Sequence, residues 1–193
     1  MQNILIINAH QPYDFSKGEL TKSLIDVATK SLQNKGLTVK HSQVTDYAVS
    51  DELEKWQWAD AVIFQFPSNW MMIPWLAKKY MDDVFTAGMG GILCNTDGRS
   101  SANPNINYGT GGKMHGKKYL LSATFNAPKN AFDNAQEYLF AGKGLDDLFF
   151  PIHCNFKFFA MTALPTFACF DVVKNPQIEQ DLKDFESHIN LHF

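Results

Sequence analysis

Ile4 to Ile7 form a continuous apolar run rich in β-branched side chains, which predicts a strand buried on both faces. The run ends at Asn8-Ala9-His10, and a polar loop from Gln11 to Gly18 follows. Leu20, Leu24, Ile25, Val27, Ala28 and Leu32 then recur at helical spacing, predicting a helix from near Ser16 to Gly36. Leu37 to Val44 alternates and predicts a second strand, and Glu52 to Trp58 a short helix. Ala61 to Phe66 is a third apolar strand, stopped by Pro67, and Pro74 opens a helix that runs to Phe85. Lys118 to Thr124 predicts a fourth strand, Ala131 to Phe140 a helix, Thr166 to Val172 a last strand and Gln177 to Leu191 a last helix. Gly88 to Gly116 is rich in Gly and Asn without periodicity, and loops of that length usually carry function. Leu145 to Met161 is strongly aromatic and shows no clear period.

Strands alternating with helices imply a parallel sheet built from βαβ units. Five strands fit a single flavodoxin-like α/β domain over residues 1–193: a three-layer sandwich, strand order 2-1-3-4-5, helices on both faces. Ligands of such sheets bind outside the carboxyl ends of the strands, at the switch point. The loops after strands one, three and four are therefore the ones to weigh.

Composition narrows the class. Aromatics reach 13% of the chain, with 16 Phe, which excludes a disordered protein. Seventeen Lys and Arg against 20 Asp and Glu leave a net charge of −3, so a nucleic-acid surface is not expected. Three cysteines without a CxxC pattern argue for a reducing compartment. Met1 to Asn8 lacks the basic segment and long apolar run of a secretory leader, and no stretch is long enough to span a membrane. A cytoplasmic location without integral membrane association is the expectation. Histidines show no strong metal spacing, and no metal site is expected.

The loop after strand one, Asp14 to Ser23, leads into a helix N-terminus, where unpaired amides favour an anion. Ser16 and Gly18 allow a phosphate close to the backbone, and Lys17 adds charge. The same residues also read as a plain capping box, Ser16 with Glu19. After strand three come Pro67-Ser68-Asn69-Trp70-Met71-Met72-Ile73-Pro74-Trp75, whose Trp and Met side chains suit the walls of a flat, mostly apolar ligand. The bland alternative is packing against the next helix. After strand four, Thr124-Phe125-Asn126-Ala127 offers amides and polar side chains to the edge of a heterocycle, or simply closes a turn. GxGxxG and GxSxG are absent. Gly111 to Lys118 resembles a P-loop but ends in Lys and precedes a strand, so it is rejected.

These features together resemble the NAD(P)H:quinone oxidoreductases of the modulator of drug activity B type. The resemblance spans nearly the whole chain. Its most specific pieces are Asn3 to Asn8, Pro74-Trp75 with Lys78 to Thr86, and Asp97-Gly98-Arg99. Tyr108 to Gly112, Gly116 to Tyr119 and Leu164 to Phe167 add to them. The resemblance implies a homodimer with active sites at the interface, binding FAD and reducing quinones by two electrons from NADPH in a ping-pong cycle. It implies a role against oxidative stress, with the flavin and no protein nucleophile carrying the chemistry. It also implies cofactor contacts from Ser16, Lys17, Gly18, Glu19, Leu20, Thr21, Lys22 and Ser23 to the phosphates. Pro67, Ser68, Asn69 and Trp70 would line the ring, Tyr108 would contact the flavin, and Thr124, Phe125, Asn126 and Ala127 would meet the ring's other edge. The aromatic excess of the chain then places the Phe149 to Phe159 cluster at the expected subunit contact. Ser68-Asn69 before Trp70 departs from the family's usual Gly, which makes the pocket more polar. Two other readings share the fold: an FMN-binding electron carrier, and an azo- or nitro-reductase. A third is a non-enzymatic scaffold protein.

Overall fold

A computed structural model describes residues 1–193. Its strands are β1 (Asn3–Asn8), β2 (Thr38–Gln43), β3 (Ala61–Pro67), β4 (Lys118–Thr124), β5 (Thr162–Ala163) and β6 (Phe167–Cys169). Its helices are α1 (Glu19–Asn34), α2 (Val49–Trp58), α3 (Trp75–Gly88), α4 (Leu145–Leu148), α5 (Phe150–Phe158) and α6 (Ile178–His192). All strand pairs are parallel, in the order β2-β1-β3-β4, with β5 and β6 both beside β4. The fifth position of the sheet is thus one interrupted edge strand. β5 pairs with Lys118 and Tyr119, β6 with Ser122 to Thr124. Pro165 sits in the gap, where its missing N–H breaks the ladder.

Each face of the sheet buries a different kind of side chain. Ile4, Ile6, Ala61, Ile63 and Leu120 pack against Leu24, Ala28 and Leu32 of α1 and Phe185 and Ile189 of α6. Phe64, Phe66 and Tyr119 pack against Trp56 of α2, Phe85 of α3, Phe149 between α4 and α5, and Phe156 of α5. That second face is an aromatic mosaic: Tyr119 stacks on Phe156 at 4.2 Å, and Phe66 meets Phe149 edge-on at 5.1 Å.

Three expectations change. The segment Ala131 to Phe140 is not an α-helix; only a 3₁₀ turn at Lys129–Ala131 forms. Asn134 Oδ1 accepts the Gln136 N–H, so the side chain competes with the helical bond, and Asp133 is left-handed at φ 54°. Leu145 to Met161 resolves into α4 and α5, with Phe149, Ile152, Phe156 and Phe159 on the buried face. The period is helical, masked by Phe150 and Phe158 between them. The Phe149 to Phe159 cluster is therefore mainly monomer core; Phe150 alone of its phenylalanines is exposed.

Candidate functional site

The carboxyl ends of β1, β3 and β4 open onto one rim, and backbone bonds fix the three loops at their roots. Ala9 N–H donates to Gln65 O, Ser68 N–H to Thr124 O and Phe125 N–H to Cys169 O, at 2.8, 2.9 and 2.8 Å. The β1–α1 loop folds differently from the capping-box expectation. Tyr13 and Ser16 exchange backbone bonds of 2.9 and 3.0 Å in a tight turn, and α1 begins only at Glu19. Gly18 takes the N-cap position in left-handed conformation, φ 87°, with no side chain capping the helix. The first helical bond runs from Lys22 N–H to Gly18 O, and the amides from Lys17 to Thr21 donate to no protein acceptor. Five donors are thus left for an anion at the positive end of the helix.

His10 closes the floor of this cradle. It is 7% exposed, and Nε2 lies 3.1 Å from the Ser16 carbonyl oxygen. That oxygen can only accept, so Nε2 carries the proton and Nδ1 is a lone-pair acceptor. Nδ1 is buried and unpartnered. A Cβ at Gly18 would stand 2.5 Å from the imidazole Cδ2, so only glycine lets the loop lie this close.

The β3–α3 loop presents aromatic surface at a conformational cost. Asn69 and Met72 exchange backbone bonds of 2.8 and 3.1 Å around Trp70 and Met71, both left-handed at φ 50° and 61°. This is a type I′ turn, which ordinarily calls for Asn-Gly. Two bulky residues in that turn store about 1–3 kcal/mol each. The result is Trp70 at 90% exposure, with Trp75, the first residue of α3, also exposed.

The two loops enclose one trough. Its aromatic end, a cavity of about 850 Å³, is lined by Tyr13, Phe15, Pro67, Ser68, Asn69, Trp70, Ile73, Trp75 and Asn126. Its polar end, about 410 Å³, is lined by Ser16 to Thr21 and Thr124, together with Val172, Val173 and Ile178. His10, Phe15, Ser16 and Pro67 belong to both ends. One layer beneath the floor, Gln65 and Ser122 are register partners whose side-chain polar atoms are buried without partners.

The anticipated residues divide. Ser16, Lys17, Gly18, Glu19, Leu20, Thr21, Pro67, Ser68, Asn69, Trp70, Thr124 and Asn126 line the trough. Lys22 lines an adjoining polar groove with His41 and Gln43, which shares His10, Lys17, Gly18 and Glu19 with the trough. Ser23 Oγ is spent on the Glu19 carbonyl at 3.0 Å. Phe125 is 4% exposed and packed among Phe132, Phe149 and Phe170, with its N–H and carbonyl both bonded. It serves the core and offers a ligand nothing. Ala127 packs on the same core, but its amide and that of Asn126 remain free. Tyr108 lies in a different cavity with Gly109, Cys154 and Phe158. Sequence reasoning passed over His10, Tyr13 and Phe15. The available signal was two aromatics in an otherwise polar loop directly after a strand.

The family described as flavodoxin-like fold matches residues 2–190. NADPH:quinone oxidoreductase MdaB of Haemophilus influenzae is 45% identical over 192 residues, covering 99% of both chains. The chain belongs to the flavodoxin-like NAD(P)H:quinone oxidoreductase family. Among solved structures, an NADPH-quinone reductase from P. pentosaceus has a TM-score of 0.66 at 18% identity, covering 98% of each chain. General stress protein 14 from Treponema denticola, solved with FMN, has a TM-score of 0.68 at 16% identity, covering 99% of each. Both share the fold of this family member. No helix is long and apolar enough to cross a membrane.

Burial also sets the charge state of this oxidoreductase fold. Desolvation holds the imidazoles of His10, His41 and His188 below their ordinary value. An unfolded chain takes up those protons near pH ~6.5 while the folded chain resists. Stability is therefore full above that value and falls as pH drops through it. Melting temperature is expected to decline between about pH 6.5 and about pH 5. A flat thermal profile over that range contradicts the assignment of imidazoles held neutral by desolvation.

Proposed function

We propose that the chain is an FAD-dependent NADPH:quinone oxidoreductase that works as a homodimer in the cytoplasm. The observation that carries this reading is the trough, in which an aromatic well adjoins an amide cradle whose lining also includes the apolar Val172, Val173 and Ile178. The apolar Val172, Val173 and Ile178 in the lining of the cradle favour FAD over FMN. A mononucleotide would end at the cradle, whereas an adenine needs an apolar surface past the phosphates. Bound there, the flavin supplies two-electron hydride exchange, taken from NADPH and passed to a quinone in ping-pong order.

The protein's part is binding and electrostatics. Lys17 to Thr21 give their free amides to the pyrophosphate, with Lys17 adding positive charge. Trp70 and Trp75 wall the aromatic well and keep water from the ring. The free amides of Asn126 and Ala127 would hold the ring's edge and favour negative charge there, a preorganised role. Tyr108 stands near Phe158, and the next residues, Phe159 to Thr162, are tied to the amino end of β4. Seven residues of strand separate that end from the trough, roughly 20 Å. That distance keeps Tyr108 from a ring bound in its own chain's trough and supports a contact with the flavin of a second copy. Protection against oxidative stress follows from two-electron delivery. The unpaired cysteines Cys94, Cys154 and Cys169 accord with a reducing compartment.

The purified protein is expected to be yellow, to bleach with NADPH and to recolour with menadione. Mass analysis of the released flavin separates FAD from FMN. A protein that stays colourless after incubation with FAD overturns the reading and leaves a scaffold role. Turnover with azo or nitro compounds but not with quinones moves the activity to that neighbouring class.

A further inference from the structure

The Asp97-Gly98-Arg99 motif is far from the trough, and the activity proposed above leaves it without a task. Its geometry is closed nonetheless. Asp97 Oδ2 accepts Arg99 Nε at 2.8 Å and pairs with Nη2 at 2.6 Å, while Oδ1 accepts the Arg99 backbone N–H at 2.9 Å. The Asp97 carbonyl accepts Gly109 N–H at 2.6 Å, which pins the segment that carries Tyr108. A Cβ at Gly98, φ 89°, would overlap Asn107 O at 2.4 Å, so the two stretches of loop are in contact. The Arg99 guanidinium carbon then sits 5.4 Å from the centroid of the Tyr108 ring. Phe158 meets the same ring edge-on at 5.8 Å.

The ring so held is 71% exposed. It belongs to residues 88–116, a stretch with no helix or strand after Gly88, where an exposed side chain would otherwise sample several rotamers. A cation on one side, an aromatic edge and a backbone pin fix its position without burying it. That is preorganisation of a contact surface. Arg99 also holds the Asp97 carboxyl below its ordinary range, so the pair stays charged at neutral pH.

We infer that Arg99, locked by Asp97, is a positioning residue that sets the Tyr108 ring for the active site of a second copy. This rests on the proposed function, which supplies the destination of Tyr108. Arg99 itself touches no reacting atom. Its effect passes through Tyr108, and the two residues therefore act as a unit.

The test is a double-mutant cycle on the flavin-loaded dimer. Arg99→Ala is expected to raise the quinone KM, and with it the flavin Kd, about fivefold, the scale of one exposed cation–π contact, with kcat held at saturating flavin. Tyr108→Ala raises it further, and the double variant is no worse than Tyr108→Ala alone. Arg99→Lys falls between, because it keeps the charge but loses the fork on Asp97. Effects that multiply in the double variant, or an Arg99→Ala that lowers only Tm, overturn the inference. Hydrogen exchange at the Gly109 amide reads the latch without any turnover. It is expected to speed up several-fold in Arg99→Ala, and unchanged exchange overturns the latch. A wild type that neither holds flavin nor reduces quinone overturns the enzyme reading, and with it the destination of Tyr108. The exchange result still reports separately on whether Arg99 holds the loop.

Discussion

Gly18→Ala is expected to reduce flavin affinity about a hundredfold while lowering the melting temperature by only a few degrees. Two effects act at one atom. A left-handed L-residue costs about 1–2 kcal/mol, and the new methyl would stand 2.5 Å from His10 Cδ2 and 2.8 Å from Nε2. His10 is buried and cannot swing into solvent, so the loop must lift. Lifting it breaks the 3.1 Å contact of Nε2 with the Ser16 carbonyl and turns the amides of Lys17 to Thr21 off their common target. Losing two charge-assisted hydrogen bonds at about 1.5 kcal/mol each is about a hundredfold in Kd. The stability loss translates to about 2–4 °C per kcal/mol for a chain of this size. Equilibrium titration with FAD and a thermal melt of the flavin-free protein separate the two. Affinity within threefold of wild type removes the cradle from the binding site.

The same residues show where sequence reasoning reaches and where it stops. β4 was legible to the residue because Lys118 to Thr124 is apolar through its centre and bounded by a glycine loop. The sheet order followed from the alternation of strands and helices. The start of α1 was not legible, although Ser16 and Glu19 have the spacing of a capping box. A turn with Tyr13 takes the Ser16 amide, and His10 adds a second claim on its carbonyl. Both are tertiary facts. His10 was missed because one histidine after a strand has no periodic signature; its role comes from a loop that folds back onto it. Phe125 failed in the opposite sense. Its place after β4 pointed to the rim, but the alternation of the strand sends its side chain under the sheet, among Phe132, Phe149 and Phe170. The β3–α3 loop was read correctly as aromatic surface, while the left-handed turn that exposes it has no sequence signal. Trp-Met is the last pair that turn propensity would choose.

That mismatch makes Trp70 the sharpest test of the aromatic well. Trp70→Ala removes one face of the well, worth about 2 kcal/mol in buried area and stacking, or about thirtyfold in binding of flavin or quinone. The indole is 90% exposed in the free chain, so nothing in the core is lost and Tm holds. Trp70→Gly separates the two contributions further. Glycine accepts φ 50° freely, and relief of about 1 kcal/mol of strain raises Tm by about 2–4 °C, while binding falls as it does in the alanine variant. A packing role predicts the reverse order: both variants melt earlier and bind normally. Stability that rises as binding falls can only come from a backbone held in an unfavourable conformation for the sake of the side chain it presents. Flavin affinity and Tm measured on the two variants decide between these outcomes.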